Sequence, residues 1–204
     1  VISNYSQNNS LFMLKNISIN GTNYLHEEDI LSLINITNQP IFSYDLKLLN
    51  KKIESHPFIK ASKISIKMPN QLYIEVIERF PIALVSYNNK QLFIDFDNCI
   101  LPVNSKSLNY FPVPIINIQN EKNTFNATDD SIVLIKYLFD NYNSMYSNIS
   151  ELVFSKSKIT LITDGRTKIF VNPNMIIDNI EKLKSFESSI EFLKSIDDHR
   201  YINL

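Results

Sequence analysis

Three histidines, one cysteine and one closely spaced acidic pair are the groups in this chain whose chemistry could exceed holding a fold. His26, His56 and His199 would have to converge to bind a metal, but their separations match no metal-ligand spacing. They fall at a helix start, a helix end and a strand start, where capping or solvation accounts for them. Cys99 needs an adjacent base to become a nucleophile, and no residue near it in sequence supplies one. Being the only cysteine, it forms no intramolecular disulfide and no Cys-based zinc site. Asp95 and Asp97 stand on one face of a strand and could pair as acid and base, yet this spacing commonly shapes a turn. Glu78 and Arg79 read either as a functional charge pair or as an ion pair at a hinge between modules. The hinge reading is preferred, because an arginine at a junction reaches carbonyls and carboxylates on both sides. With only two glycines, no phosphate-cradling loop exists. The expectation is a protein that is not an enzyme and uses no cofactor, no metal and no small-molecule substrate.

Composition narrows the remaining classes. At 204 residues, 44% hydrophobic and 20% charged, the chain can bury a core as one large or two small domains. A formal net charge of −1 gives no broad field for nucleic acid or an anionic membrane surface. The most apolar runs, Phe12-Met13-Leu14 and Ile132-Val133-Leu134-Ile135, fall far short of the roughly 18 residues of a membrane span. Val1 is not an initiator methionine, so the chain is expected to be an excised or processed segment with its native start upstream.

The elements that must position any site follow from periodicity. Imperfect alternation from Leu11 to Asn20 predicts a strand closed by Gly21. Ile30, Leu31 and Ile34 mark a helix over 27–35; Leu46, Leu49 and Ile53 mark another over 44–55, with Ser43 and Asp45 as cap and acidic first turn. Ile64, Ile66, Leu72, Ile74 and Val76 alternate on two strands flanking Met68-Pro69-Asn70, an antiparallel hairpin. Strand, helix, helix, strand, strand is an α+β unit with its helices on one face of a small sheet.

After Pro81 short strands are predicted over 82–87, 91–96 and 100–103, then an extended, irregular stretch around Pro102, Pro112 and Pro114. A helix over 131–143 precedes strands over 151–154, 158–163 and 167–171. Asp164-Gly165 is read as a tight hairpin with glycine at the positive backbone angle. Pro173 opens a helix to about Ile196 along a seam of Ile176, Ile177, Ile180, Leu183, Phe186, Ile190 and Leu193, read as core. A final strand begins at Tyr201.

Several of these residues resemble the FtsQ/DivIB family of bacterial cell division proteins. Pro57-Phe58-Ile59, then Pro69-Asn70 with Leu72, then Glu78-Arg79 with Pro81 are similar to the two strands, turn and exit that end the family's POTRA module. Ile17 to Gly21 and His26-Glu27-Glu28-Asp29-Ile30 resemble its opening strand and first helix. Leu92 to Asn98 resembles a strand and turn with Asn98 where a glycine is usual. Tyr201-Ile202-Asn203-Leu204 resembles the family's penultimate strand, with Asn203 for its aspartate.

The resemblance implies a POTRA domain over 11–80 (β-α-α-β-β) and an FtsQ-type C-terminal β domain over 81–204, a mixed antiparallel sheet with flanking helices. The family's last strand normally follows the position of Leu204, so that domain is expected to be truncated there. Glu78, Arg79 and Pro81 form the expected hinge. A single membrane anchor is implied upstream of Val1, with this segment on the periplasmic side of the inner membrane at the division septum. The implied partners are FtsB and FtsL, reaching the C-terminal sheet edge as a coiled coil, together with other division proteins. A strand ending on a sheet edge fits this, because its unpaired N–H and C=O groups accept an added strand. Carried over by position, the partner-binding candidates are Arg200, Tyr201, Ile202, Asn203 and Leu204, with Lys156 and Lys158 facing acidic residues. Ile202 and Leu204 also fit ordinary alternating core. The alternative is a POTRA-containing periplasmic segment of an outer-membrane assembly or secretion system.

Overall fold

Ile17 and Ile19 alternate with Asn16, Ser18 and Asn20, and this half-apolar pattern forms the first strand of a computed structural model describing residues 10–87, 90–118, 130–155, 158–189 and 196–204. The chain divides into two units between Arg79 and Phe80. In the first, β1 (Asn16–Asn20) is followed by α1 (Glu27–Leu33), α2 (Leu46–Glu54), β2 (Ile59–Lys67) and β3 (Gln71–Glu78). The sheet order is β1-β3-β2, with β1 parallel and β2 antiparallel to β3. Leu72, Ile74 and Val76 point to one face of β3 and are buried with Ile30, Leu49 and Ile53 of the helices. Burial of each such side chain contributes about 2 kcal/mol.

Caps and a glycine fix the ends of these elements. Asp29 Oδ2 accepts the His26 N–H at 2.9 Å, and Asp45 Oδ1 accepts those of Lys47 and Leu48 at 3.0 and 3.1 Å. Asp45 is thus the cap itself, and α2 starts one residue after it. Gly21 takes φ +89°, and a Cβ there would lie 2.0 Å from the Val76 carbonyl oxygen.

Among the described residues the second unit has eight strands: β4 (Pro81–Tyr87), β5 (Lys90–Asp95), β6 (Ile100–Leu101), β7 (Ile115–Ile118), β8 (Ile149–Ser155), β9 (Lys158–Thr163), β10 (Lys168–Val171) and β11 (Tyr201–Asn203). Their spatial order is β11-β10-β9-β8-β7-β4-β5-β6. The sheet is mixed: β4 with β7, β7 with β8, and β10 with β11 run parallel, and the other neighbours are antiparallel. Helices α3 (Ser105–Tyr110), α4 (Asp130–Asn141), α5 (Asn143–Asn148) and α6 (Ile176–Ser189) complete it. Ile132, Ile135 and Leu138 of α4, Met145 of α5, and Ile180 and Leu183 of α6 are buried in one core with Ile116, Leu152, Leu161 and Ile169 of the sheet. Both units have the α+β architecture expected from the sequence.

Several local expectations are corrected. The strand predicted from Leu11 begins only at Asn16, because Leu14 N–H goes to the Gln39 carbonyl and Lys15 N–H to that of Asn70. The stretch predicted as irregular contains α3 and β7. Asn104 starts the helix by accepting the Ser107 N–H at 2.8 Å, while the Ser107 hydroxyl accepts the Asn104 N–H at 2.9 Å. The long predicted helix is a 3-10 turn (Pro173–Met175) followed by α6, and Ile196 lies in a separate 3-10 turn, Ile196–Asp198. Ile177 is 57% exposed, outside the seam; Ile190 and Leu193 lie outside the described residues. At the β9–β10 turn the positive φ belongs to Arg166 (67°), not Gly165.

Candidate functional site

Among the described residues β11 occupies one end of the strand order, with β10 on one side. Lys168 pairs with Tyr201, Ile169 with Ile202 and Phe170 with Asn203. Strand alternation sends Ile202 and Leu204 onto the core face, where both pack partly buried. Tyr201, at 67% exposure, and exposed Asn203 point the other way. The backbone alternates too. Lys168 N–H donates to the Arg200 carbonyl at 3.3 Å and Leu204 N–H to that of Phe170 at 3.2 Å. The N–H and C=O groups of Tyr201 and Asn203 therefore face away from β10, toward the sheet edge.

The side chains beside this edge make a cationic and aromatic surface. Lys158, the first residue of β9, holds its Nζ 3.9 Å from the centroid of the Phe170 ring. Phe170 is in turn the cross-strand neighbour of Asn203, and exposed Lys168 that of Tyr201. Lys158, Phe170 and Asn203 thus share the face opposite the core, and exposed Arg200 precedes the strand. Lys156 lies outside the described residues. Lys168 and Phe170 were missed by the sequence reading, which assigned their strand but could not tell that it would adjoin the last one. Such an edge can add a strand by main-chain pairing and favour acidic or aromatic side chains on it.

The other singled-out residues serve local structure. The Glu78 carboxylate is buried and accepts three backbone N–H groups: Asn23 at 3.0 Å and Tyr24 at 2.9 Å on Oε2, and Leu25 at 2.9 Å on Oε1. Glu78, expected at a hinge, thus holds a loop of the first unit. Arg79 N–H donates to the Phe58 carbonyl at 2.8 Å, and Pro81 opens β4. Asp95, 3% exposed, accepts the Cys99 N–H at 2.7 Å across a turn in which Asn98 has φ 65°. A left-handed residue is what a glycine would supply there. His56 Nδ1 accepts the Phe58 N–H at 3.2 Å. His199 lies 5.4 Å from Phe186 between ring centroids, and its Nε2 is buried without a hydrogen-bond partner among the described residues. Among the described residues there is no cluster of His, Cys, Asp and Glu able to hold a metal ion, and no helix is long and apolar enough to cross a membrane.

Comparison with known proteins identifies the first unit. Residues 12–79 match the family model of the FtsQ-type POTRA domain. The cell division protein FtsQ of Rickettsia felis is 31% identical over 102 residues, covering 50% of this chain and 37% of that protein. The cell division protein DivIB of Staphylococcus aureus is 29% identical over 83 residues, covering 40% of this chain and 19% of its own. The aligned part of this chain thus spans about a third of the FtsQ relative's length. The solved major extracytoplasmic domain of DivIB from Geobacillus stearothermophilus aligns over 58% of this chain and 98% of its own at 9% identity. Its TM-score of 0.37 is below the range that implies a common fold.

Proposed function

We propose that this chain, which belongs to the FtsQ/DivIB family of cell division proteins, is the extracytoplasmic part of a non-enzymatic division scaffold that binds the FtsB–FtsL complex through its C-terminal sheet edge. In this reading the intact protein is anchored by one membrane helix preceding the segment. It stands on the periplasmic side of the inner membrane at the septum and links early to late division proteins, controlling septal peptidoglycan synthesis. Glu78, Arg79 and Pro81 form the passage between its two modules.

The observation that carries the reading is the position of β11 at the end of the sheet order, with Tyr201 exposed. An added strand would satisfy the outward peptide groups of Tyr201 and Asn203. It would also set its side chains beside Tyr201 and Asn203 on one face and near Ile202 and Leu204 on the other. Lys158 and Arg200 would favour acidic residues at its flanks.

Calorimetric titration with the periplasmic FtsB–FtsL segment of the same organism tests this. Saturable binding is expected, weakened by Tyr201→Ala and abolished by Asn203→Pro, which removes an outward N–H while leaving the pairing of Ile202 with β10 in place. Undiminished affinity in a folded Asn203→Pro protein would sink the edge-pairing mechanism.

A further inference from the structure

β11 meets β10 through three register pairs, Lys168 with Tyr201, Ile169 with Ile202 and Phe170 with Asn203. Its lead-in, the turn Ile196–Asp198, is fastened to the β9–β10 hairpin by a cluster of polar side chains. The Asp197 carboxylate accepts the Thr163 hydroxyl on one oxygen and Asn148 Nδ2, at 3.2 Å, on the other. Thr163 Oγ1 accepts the Thr167 N–H at 3.1 Å. The Thr167 hydroxyl reaches the carbonyls of Ile196, at 3.2 Å, and His199. Both threonines have 0% exposure. Ile196, at 2% exposure, sits in the core beside them.

Gly165 belongs to the same arrangement. It does not take the positive φ of the turn, so conformational freedom does not explain it. A Cβ at this position would stand 2.5 Å from Asp197 Cγ. The missing side chain is the space that the aspartate occupies.

We propose that Asp197 is the positioning residue of the edge strand. By tying the turn before β11 to Thr163 on β9 and Asn148 on α5, it fixes where β11 lies along β10. In the functional reading given above, on which this last consequence rests, it thereby determines the edge that a partner strand meets. Asp197 need not touch the partner at all.

Single-amide hydrogen exchange on the chain tests the proposal. The probes are the amides of Lys168 and Ile202, which lie between β10 and β11, and of Leu161 in β9. Asp197→Ala and Gly165→Ala are expected to lower protection at Lys168 and Ile202 about tenfold relative to Leu161. Asp197→Asn, which keeps an acceptor for Thr163, restores much of it. Leu183→Ala, a core truncation in α6, serves as the control and lowers all three amides together. If Asp197→Ala leaves Lys168 and Ile202 protected, or lowers them only in step with Leu161, the proposal fails.

Affinity for the partner segment on the same variants separates the two readings. A loosened β11 with unchanged affinity supports the positioning role and removes the edge from the functional reading. A loosened β11 with weakened affinity supports both.

Discussion

Glu78 Oε1 accepts the backbone N–H of Leu25 at 2.9 Å, joining the last residue of β3 to the loop that leads into α1. With its other oxygen on Asn23 and Tyr24, this carboxylate satisfies three consecutive donors, those of Tyr24 and Leu25 buried and that of Asn23 on an exposed residue. Glu78→Ala leaves the buried N–H groups of Tyr24 and Leu25 unpaired, each at a cost of about 1 to 3 kcal/mol, while that of Asn23 can turn to water. The expected result in chemical denaturation is a loss of at least about 2 kcal/mol in the transition reporting the first unit. A change below 1 kcal/mol would mean that the loop finds other acceptors.

Gly21 meets two constraints at once, a left-handed φ of +89° and a gap too small for a methyl group beside the Val76 carbonyl. Gly21→Ala is therefore expected to cost about 2 to 4 kcal/mol, the sum of backbone strain and overpacking. Thermal denaturation of the variant beside the parent protein measures it. A variant of equal stability would show that β1 can shift away from β3 freely.

Local patterns made the first unit readable. The β2–β3 hairpin was evident from alternation around Pro69, since each of its signals lies within a few residues of the turn. The second unit hides its order because β7 runs parallel between β4 and β8, and nothing local specifies that neighbour choice. Helix α3 escaped notice because three prolines surround it, although the Asn104 and Ser107 box was there to be read. At the candidate site, the alternation of Tyr201 to Leu204 was legible, whereas Lys168 and Phe170 joined it only through a parallel pairing. Asp197 follows the expected end of a helix at about Ile196 and carries no local signal of its own. Its meeting with Gly165 depends on a chain return from α6 that the sequence does not announce.

Tyr146 offers a spectroscopic check on the core. Its hydroxyl donates to the Ile82 carbonyl at 3.0 Å, and burial pushes its pKa up to about 12. An unfolded tyrosine ionises near pH 10, so the folded state holds this proton longer. Between those values the folded chain binds more protons than the unfolded one, and its stability falls as pH rises. Tyr146→Phe should flatten that part of the stability profile while costing about 1 kcal/mol at neutral pH through the unpaired carbonyl. In ultraviolet titration of the folded parent, the Tyr146 phenolate should appear in the late part of the curve. If Tyr146→Phe removes a phenolate from the early part of the curve and leaves the late part unchanged, this hydroxyl is not buried.

Glu187 gives the opposite kind of pH test, on the acid side. Much of the residue is exposed, but its carboxylate end accepts the hydroxyl of buried Tyr142, and desolvation there raises its pKa from the usual carboxylate value. A raised carboxylate pKa means that the folded state prefers the protonated acid. Stability is therefore unaffected below the ordinary glutamate pKa, near 4.3, and falls as pH climbs from there through the higher folded value. Glu187→Gln keeps an acceptor for Tyr142 and carries no charge to desolvate. Its stability should match that of the parent protein at the lowest pH at which both fold, then exceed it increasingly with pH and hold a constant lead at neutrality. Denaturant midpoints across that range measure the difference. Parallel curves would mean that the pKa is not raised and the carboxylate is solvated, and a glutamine variant that loses stability toward neutral pH would mean that the charged form of Glu187 is stabilising.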